Sequence, residues 1–168
     1  MSLPMPSRVI VNSTPLIVLA NVNKLELLQQ LYGRIVVPQA VYDEVTIKPN
    51  SSIRGTISHN RWIAVERISS IEEKKMYQAK LHAGEVEVMI LAQEEPQADL
   101  VILDDNAAKK TAKYLGLKVT GTLGILVKAK KQNLLEEIKP VLDEIISNGF
   151  YISNTLYNLV LQQVGEEV

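Results

Sequence analysis

The run Val101-Ile102-Leu103-Asp104-Asp105-Asn106, continued by a helical period to Gly116, constrains this chain more than any other stretch. Three β-forming residues end abruptly in two carboxylates. In the following AAKKTAKYLG, Ala108, Ala112 and Leu115 fall on one side of a helix and Lys109, Lys110 and Lys113 on the other. Gly116 is placed to close that helix with a C-terminal cap. A buried apolar strand that carries acids at its carboxyl end, just before a helix, belongs in a parallel sheet. The carboxyl rim of such a sheet is where open α/β folds bind ligands. Capping of the helix accounts for one of the two acids. It does not account for both.

The rest of the chain repeats the alternation. Strands are expected at 8–12, 35–37, 100–103 and 117–119, with a further edge strand at 62–65. Helices are expected at 16–20 and 25–31, broken near Asn21-Val22-Asn23 and ended by Gly33, and from Pro38 to Val45 with Val41 and Val45 facing the core. Further helical periods cover 53–58, 71–82, 84–93, 121–131 and 134–147, and Ser153 caps a last amphipathic helix. No hairpin signal joins any two strands. The expectation is an α/β fold with a small parallel sheet of about four strands.

Length and composition set limits. The chain has 168 residues, 46% of them hydrophobic, and a net charge of -1. One globular domain is expected over 8–165, with 1–7 as an N-terminal tail whose first three residues read as a cloning remnant. The near-zero charge gives no global attraction to nucleic acid, so any such attraction is local. There is no cysteine, which excludes a disulfide scaffold, a thiolate zinc site and a cysteine nucleophile and agrees with a cytoplasmic location. No apolar run approaches a membrane span. No phosphate-binding glycine motif of the GxxxxGK or GxGxxG type is present.

Five positions carry oxygen donors at strand ends or core margins. Asn12 ends the first strand. Glu44 lies between Val41 and Val45, at the edge of the apolar stripe. Glu85 follows Gly84 in a first helical turn, where it also complements the helix dipole. Asp104 and Asp105 end a later strand. If these groups converge, repulsion raises the pKa of at least one carboxyl, and a divalent cation relieves it. Oxygen donors without Cys or a well-placed His suit magnesium or manganese. Such an ion activates water and neutralises a phosphodiester in the transition state.

At these residues the chain resembles the PIN-domain family, in the branch of predicted nucleic-acid-binding proteins similar to toxin–antitoxin toxins. The matching text is VNSTPLIVLANVNKLELLQQLYGRIVVPQAVYDEV, then LHAGEVEVMILA, then VILDDNAAKKTAKYLGLKVTGTLGILVKAKKQNLL, and it extends through IKPVLDEIISNGFYIS. The resemblance implies a three-layer fold with helices on both faces of the sheet. It implies magnesium- or manganese-dependent cleavage of single-stranded RNA, with Glu44, Glu85, Asp104 and Asp105 as catalytic acids and Asn12 among the metal ligands. Asp105 aligns better than Asp104 with the family's single Asp, and the sequence leaves the pair open. The resemblance also implies RNA and an antitoxin protein as partners, and a homodimer. Asn12 is the departure, because the family residue there is Asp. An amide oxygen can ligate but brings no charge, so the alternative is a weakened module that binds RNA or an antitoxin without cutting.

Lys109, Lys110 and Lys113 follow the acids directly, where an RNA backbone needs positive charge. Lys118, Lys128, Lys130 and Lys131 are close in sequence. A solvated face explains such a run equally simply. Tyr114 is the lone aromatic among these lysines, so the sequence shows no stacking platform. Thr14, Thr120 and Thr122 read first as helix caps. A receiver-like phospho-acceptor is a third reading of the strand-end acids, but no lysine is placed as its switch.

Overall fold

The computed structural model describes residues 8–47, 52–69, 81–94 and 97–167. Five short strands form one parallel sheet: β1 (Val9–Val11), β2 (Ile35–Pro38), β3 (Ile63–Glu66), β4 (Leu100–Ile102) and β5 (Val119–Thr120), in the order β3-β2-β1-β4-β5. The expected four strands become five because the edge segment after Trp62 pairs fully with β2, from Ile35 opposite Ile63 to Pro38 opposite Glu66. The last strand starts two residues later than the expected 117–119 and ends at Thr120.

The central strands are buried on both faces. Val9, Ile10 and Val11 of β1 and Val101 and Ile102 of β4 are all in the core, as continuous apolar runs in parallel sheets should be. Helices flank the sheet. In chain order they are α1 (Ser13–Asn21), α2 (Glu26–Tyr32), α3 (Gln39–Thr46), α4 (Ser52–His59), α5 (Ala83–Gln93), α6 (Asn106–Tyr114), α7 (Thr122–Lys131), α8 (Lys139–Ser147) and α9 (Asn154–Gln163). The expected helix over 71–82 lies almost wholly outside the described residues. Asn23, with φ of +56°, makes the predicted break after α1, a conformation Asn tolerates better than most residues. The helix expected over 134–147 starts only at Lys139. Pro140 stands in its first turn, where its missing N–H costs nothing, whereas in a helix interior it would break the hydrogen-bond ladder.

The strand order places a switch point between β1 and β4. From β1 the chain winds outward through β2 to β3, and from β4 it winds the other way to β5. Connections leaving two neighbouring strands in opposite directions open a crevice at their carboxyl ends. Asn12 follows β1 and Asp104 and Asp105 follow β4, so both groups border that crevice. α5 packs against β1 and β2 and against α3, which brings two more acid-bearing helices to it.

Candidate functional site

Asn12 is fixed by the sheet. Its N–H donates to the Ile102 carbonyl at 2.9 Å, extending the β1–β4 ladder by one bond. It occupies the N-cap position of α1, yet its side chain makes no capping hydrogen bond. The residue is only 4% exposed, and its Oδ1 is buried with no hydrogen-bond donor. Leaving a buried acceptor unpaired costs about 1–3 kcal/mol, so the atom needs a reason to be there. Helix capping is not that reason.

Glu44 comes to the same place from α3. Val41 and Val45 bury one face of that helix, and Glu44 at the margin reaches back to α1, where the Ser13 hydroxyl donates to Glu44 Oε2 at 3.1 Å. Gly84, in the first turn of α5, permits the convergence. A Cβ there would stand 2.9 Å from Glu44 Oε2, 3.3 Å from Val41 Cγ2 and 3.6 Å from Asn12 Oδ1. The missing side chain leaves two oxygens bordering one small space.

Glu85, the next residue, is partly buried. Burial raises its carboxyl pKa above the ordinary 4.5. The negative charges of Asp105 and then Glu44 push it further up, and His82 opposes the shift. Acids from α3 and the β4–α6 junction thus act on Glu85 of α5. Asp105 also caps α6, its Oδ1 accepting the Ala108 N–H at 2.8 Å.

Asp104 is engaged elsewhere. Its Oδ1 accepts the Thr122 N–H at 2.8 Å and its Oδ2 accepts the Thr122 hydroxyl at 2.6 Å, which pins the start of α7. A Cβ on Gly121 would meet Asp104 Oδ1 at 2.6 Å and Lys109 Nζ at 2.9 Å, so Lys109 lies beside Asp104. Lys110 and Lys113 are exposed on α6. The structure therefore gathers Asn12, Glu44, Glu85 and Asp105 on one side of the crevice, and Asp104 with Lys109 on the other. Thr14 is exposed and Thr120 half-buried. Among the described residues neither hydrogen-bonds to an acid, whereas buried Thr122 donates to Asp104.

A further residue matters that the sequence did not single out. Glu87 is 6% exposed, and its Oε1 accepts the Ala40 N–H in the first turn of α3 at 2.9 Å. It ties α5 to the helix that carries Glu44. The signal was an acid inside VEVMILA, a run with almost no polar face. A buried acid needs a partner.

The donor set fits a hard divalent cation. Asn12 Oδ1 is an acceptor waiting for a positive partner, and the carboxylates around it repel one another. Amide and carboxylate oxygens are the ligands magnesium and manganese take. The acids border the space without closing it: among the described residues, no group of three or more His, Cys, Asp or Glu is drawn close enough to hold a metal. An ion there would have to keep several of its waters.

Comparison with known proteins bears on the fold and the family. A search of curated proteins finds no significant match. Among solved structures, the chain is similar to a PilT N-terminus domain protein from the hyperthermophilic archaeon Sulfolobus solfataricus, at a TM-score of 0.52 and 20% sequence identity, covering 73% of this chain and 92% of that one. That likeness shows the fold. The model of the DUF3368 family, described as a PIN domain, matches residues 8–166. The chain belongs to the PIN-domain family, whose members are typically nucleases that use divalent metal ions.

Proposed function

We propose that the chain is an endonuclease for single-stranded RNA, dependent on magnesium or manganese held by Asn12, Glu44, Glu85 and Asp105. The observation that carries this reading is Asn12 Oδ1, a buried acceptor with no donor, placed beside Glu44 where burial and then like charges raise the Glu85 pKa. The bound ion would supply an activated water and neutralise charge on the phosphodiester. The chain's own groups supply position. Ser13 orients Glu44, the α6 cap fixes Asp105, and β1 holds Asn12 rigidly against β4. Asp104 anchors α7 through Thr122, and Lys109 supplies positive charge next to the acids. Lys110 and Lys113 extend that charge along the exposed face of α6.

The experiment is cleavage of a labelled single-stranded RNA in manganese. Glu85→Gln and Asp105→Asn should each abolish cutting, and chelator should stop the wild type. Activity that survives both substitutions and chelator would sink the reading.

A second reading has its own support. Asn12 contributes no charge, and the described acids form no closed ligand set. Under it, the chain binds RNA or an antitoxin protein without cutting. A toxin role in a toxin–antitoxin pair belongs with the first reading and rests on the family resemblance. We also propose a homodimer, supported by Leu156 and Leu159, which α9 leaves 43% and 56% exposed. A monomer mass at micromolar concentration would contradict that assembly.

A further inference from the structure

Beyond the acids, a cavity of about 340 Å³ opens past the ends of β4 and β5, with Asp104, Lys109, Gly121, Phe150, Tyr151 and Ser153 in its wall. Three features make it more than a surface dent. Gly121 keeps its floor open at the point where Lys109 Nζ and Asp104 Oδ1 come together. Tyr151 stands on its rim 85% exposed, an aromatic ring left in water with no packing duty to explain it. The cavity's position next to the acids is fixed by the backbone, because Asp104 lines it while the adjacent Asp105 acts on Glu85. Consecutive residues thus border two neighbouring compartments.

Aromatic ring, ammonium and confined volume together match one nucleotide. Every base has a π-face that stacks on an exposed aromatic side chain, whatever its sequence. A base held in a duplex offers that face to its neighbours and cannot reach the ring. The lysine supplies the charge for a phosphate oxygen. We propose that this cavity binds one unpaired nucleotide of an RNA strand, its base stacked on Tyr151 and its phosphate on Lys109. The strand then passes directly to the acids. The site rests on the nuclease reading for its substrate class, but its geometry does not use the metal ligands.

The test is fluorescence anisotropy with a labelled single-stranded oligoribonucleotide in EDTA, so that no cleavage intervenes. Tyr151→Ala should weaken binding roughly 5- to 150-fold, the range for loss of one base–aromatic stack. Tyr151→Phe should bind like wild type. Lys109→Ala should weaken binding and lower the slope of log affinity against log salt by about 0.7, as loss of one phosphate contact on a single strand does. A duplex of the same sequence should show no dependence on Tyr151. Tyr151 is exposed, so its alanine variant should keep the wild-type melting temperature. Wild-type affinity in Tyr151→Ala, or loss in Tyr151→Phe equal to that in Tyr151→Ala, overturns the proposal. So does an equal loss with duplex, or no RNA binding by the wild type. A parallel manganese cleavage assay separates the two readings. Cutting with a Tyr151-independent affinity removes this subsite alone, while Tyr151-dependent binding without cutting removes the nuclease reading alone.

Discussion

Asn12 Oδ1 and Glu44 Oε2 both lie within 3.6 Å of the point where a side chain on Gly84 would begin. A methyl group placed there would fill the space between them. Gly84→Ala is therefore a test that separates stability from function. Alanine favours a helix over glycine by up to about 1 kcal/mol, which offsets crowding against Val41. The nearest atom, Glu44 Oε2, is the far end of a flexible side chain and can move away. The melting temperature should stay within about 4 °C of wild type, while manganese affinity and RNA cleavage fall at least about tenfold. Unchanged activity would show that the space between the two oxygens is not used.

Glu87 should act on metal binding without touching the metal. Its carboxylate holds the Ala40 N–H at the start of α3, and Glu44 is on that helix. Glu87→Gln retains an acceptor and should keep both stability and manganese affinity near wild type. Glu87→Ala leaves a buried donor unpaired, which costs about 1–3 kcal/mol. A drop of roughly 3–10 °C in melting temperature should follow, with weaker manganese binding at a temperature where the variant is still folded. If alanine and glutamine lower manganese affinity alike, Glu87 acts through its charge and not by holding α3.

The sequence made the frame of this protein readable because the strands are short, apolar and each followed by a helix start. The same junctions exposed Asn12, Glu44 and Glu85 as candidates, since strand ends and stripe margins can be read from local spacing. Asp104 and Asp105 could not be told apart. They are neighbours in one turn, and what separates them is Thr122 on the next crossover, against which only Asp104 closes. Glu87 was overlooked because its partner, Ala40, lies 47 residues away. Tyr151 joined Lys109 through tertiary packing alone, and no local pattern records that. The lysine-rich helix showed no aromatic platform because the aromatic comes from the far end of the chain.

The carboxyl-terminal segment has its own pH dependence. Glu166 accepts the N–H groups of Ile138 and Lys139 at 2.7 and 3.0 Å, where α8 begins, and lies 3.5 Å from Lys130 Nζ. Burial pushes its pKa up, but the two backbone donors and the lysine outweigh this and hold it below the ordinary 4.5. A carboxyl with a depressed folded-state pKa stabilises the protein fully above its unfolded pKa, and the benefit is lost as pH falls through the folded value. Glu166→Gln should therefore be less stable than wild type at pH 7, by roughly 0.5–2 kcal/mol as for a weakened helix cap. The gap should close on the acid side of 4.5. Urea unfolding at neutral and acid pH measures it, and an equal gap at both would mean that the carboxylate charge contributes nothing.

The central claim is that the crevice at Asn12 holds a divalent cation. The direct measurement is a titration of metal-free protein with manganese, read from the paramagnetic resonance of free ion, for wild type, Asn12→Asp, Glu85→Gln and Asp105→Asn. The wild type should bind one ion weakly, retaining several of its waters. Asn12→Asp adds a ligand charge and should bind at least about tenfold more tightly, a difference of about 1.4 kcal/mol, and should cleave RNA faster in proportion. Glu85→Gln and Asp105→Asn should lose binding. Equal manganese affinity in all four proteins, or no binding even with aspartate at position 12, would contradict it.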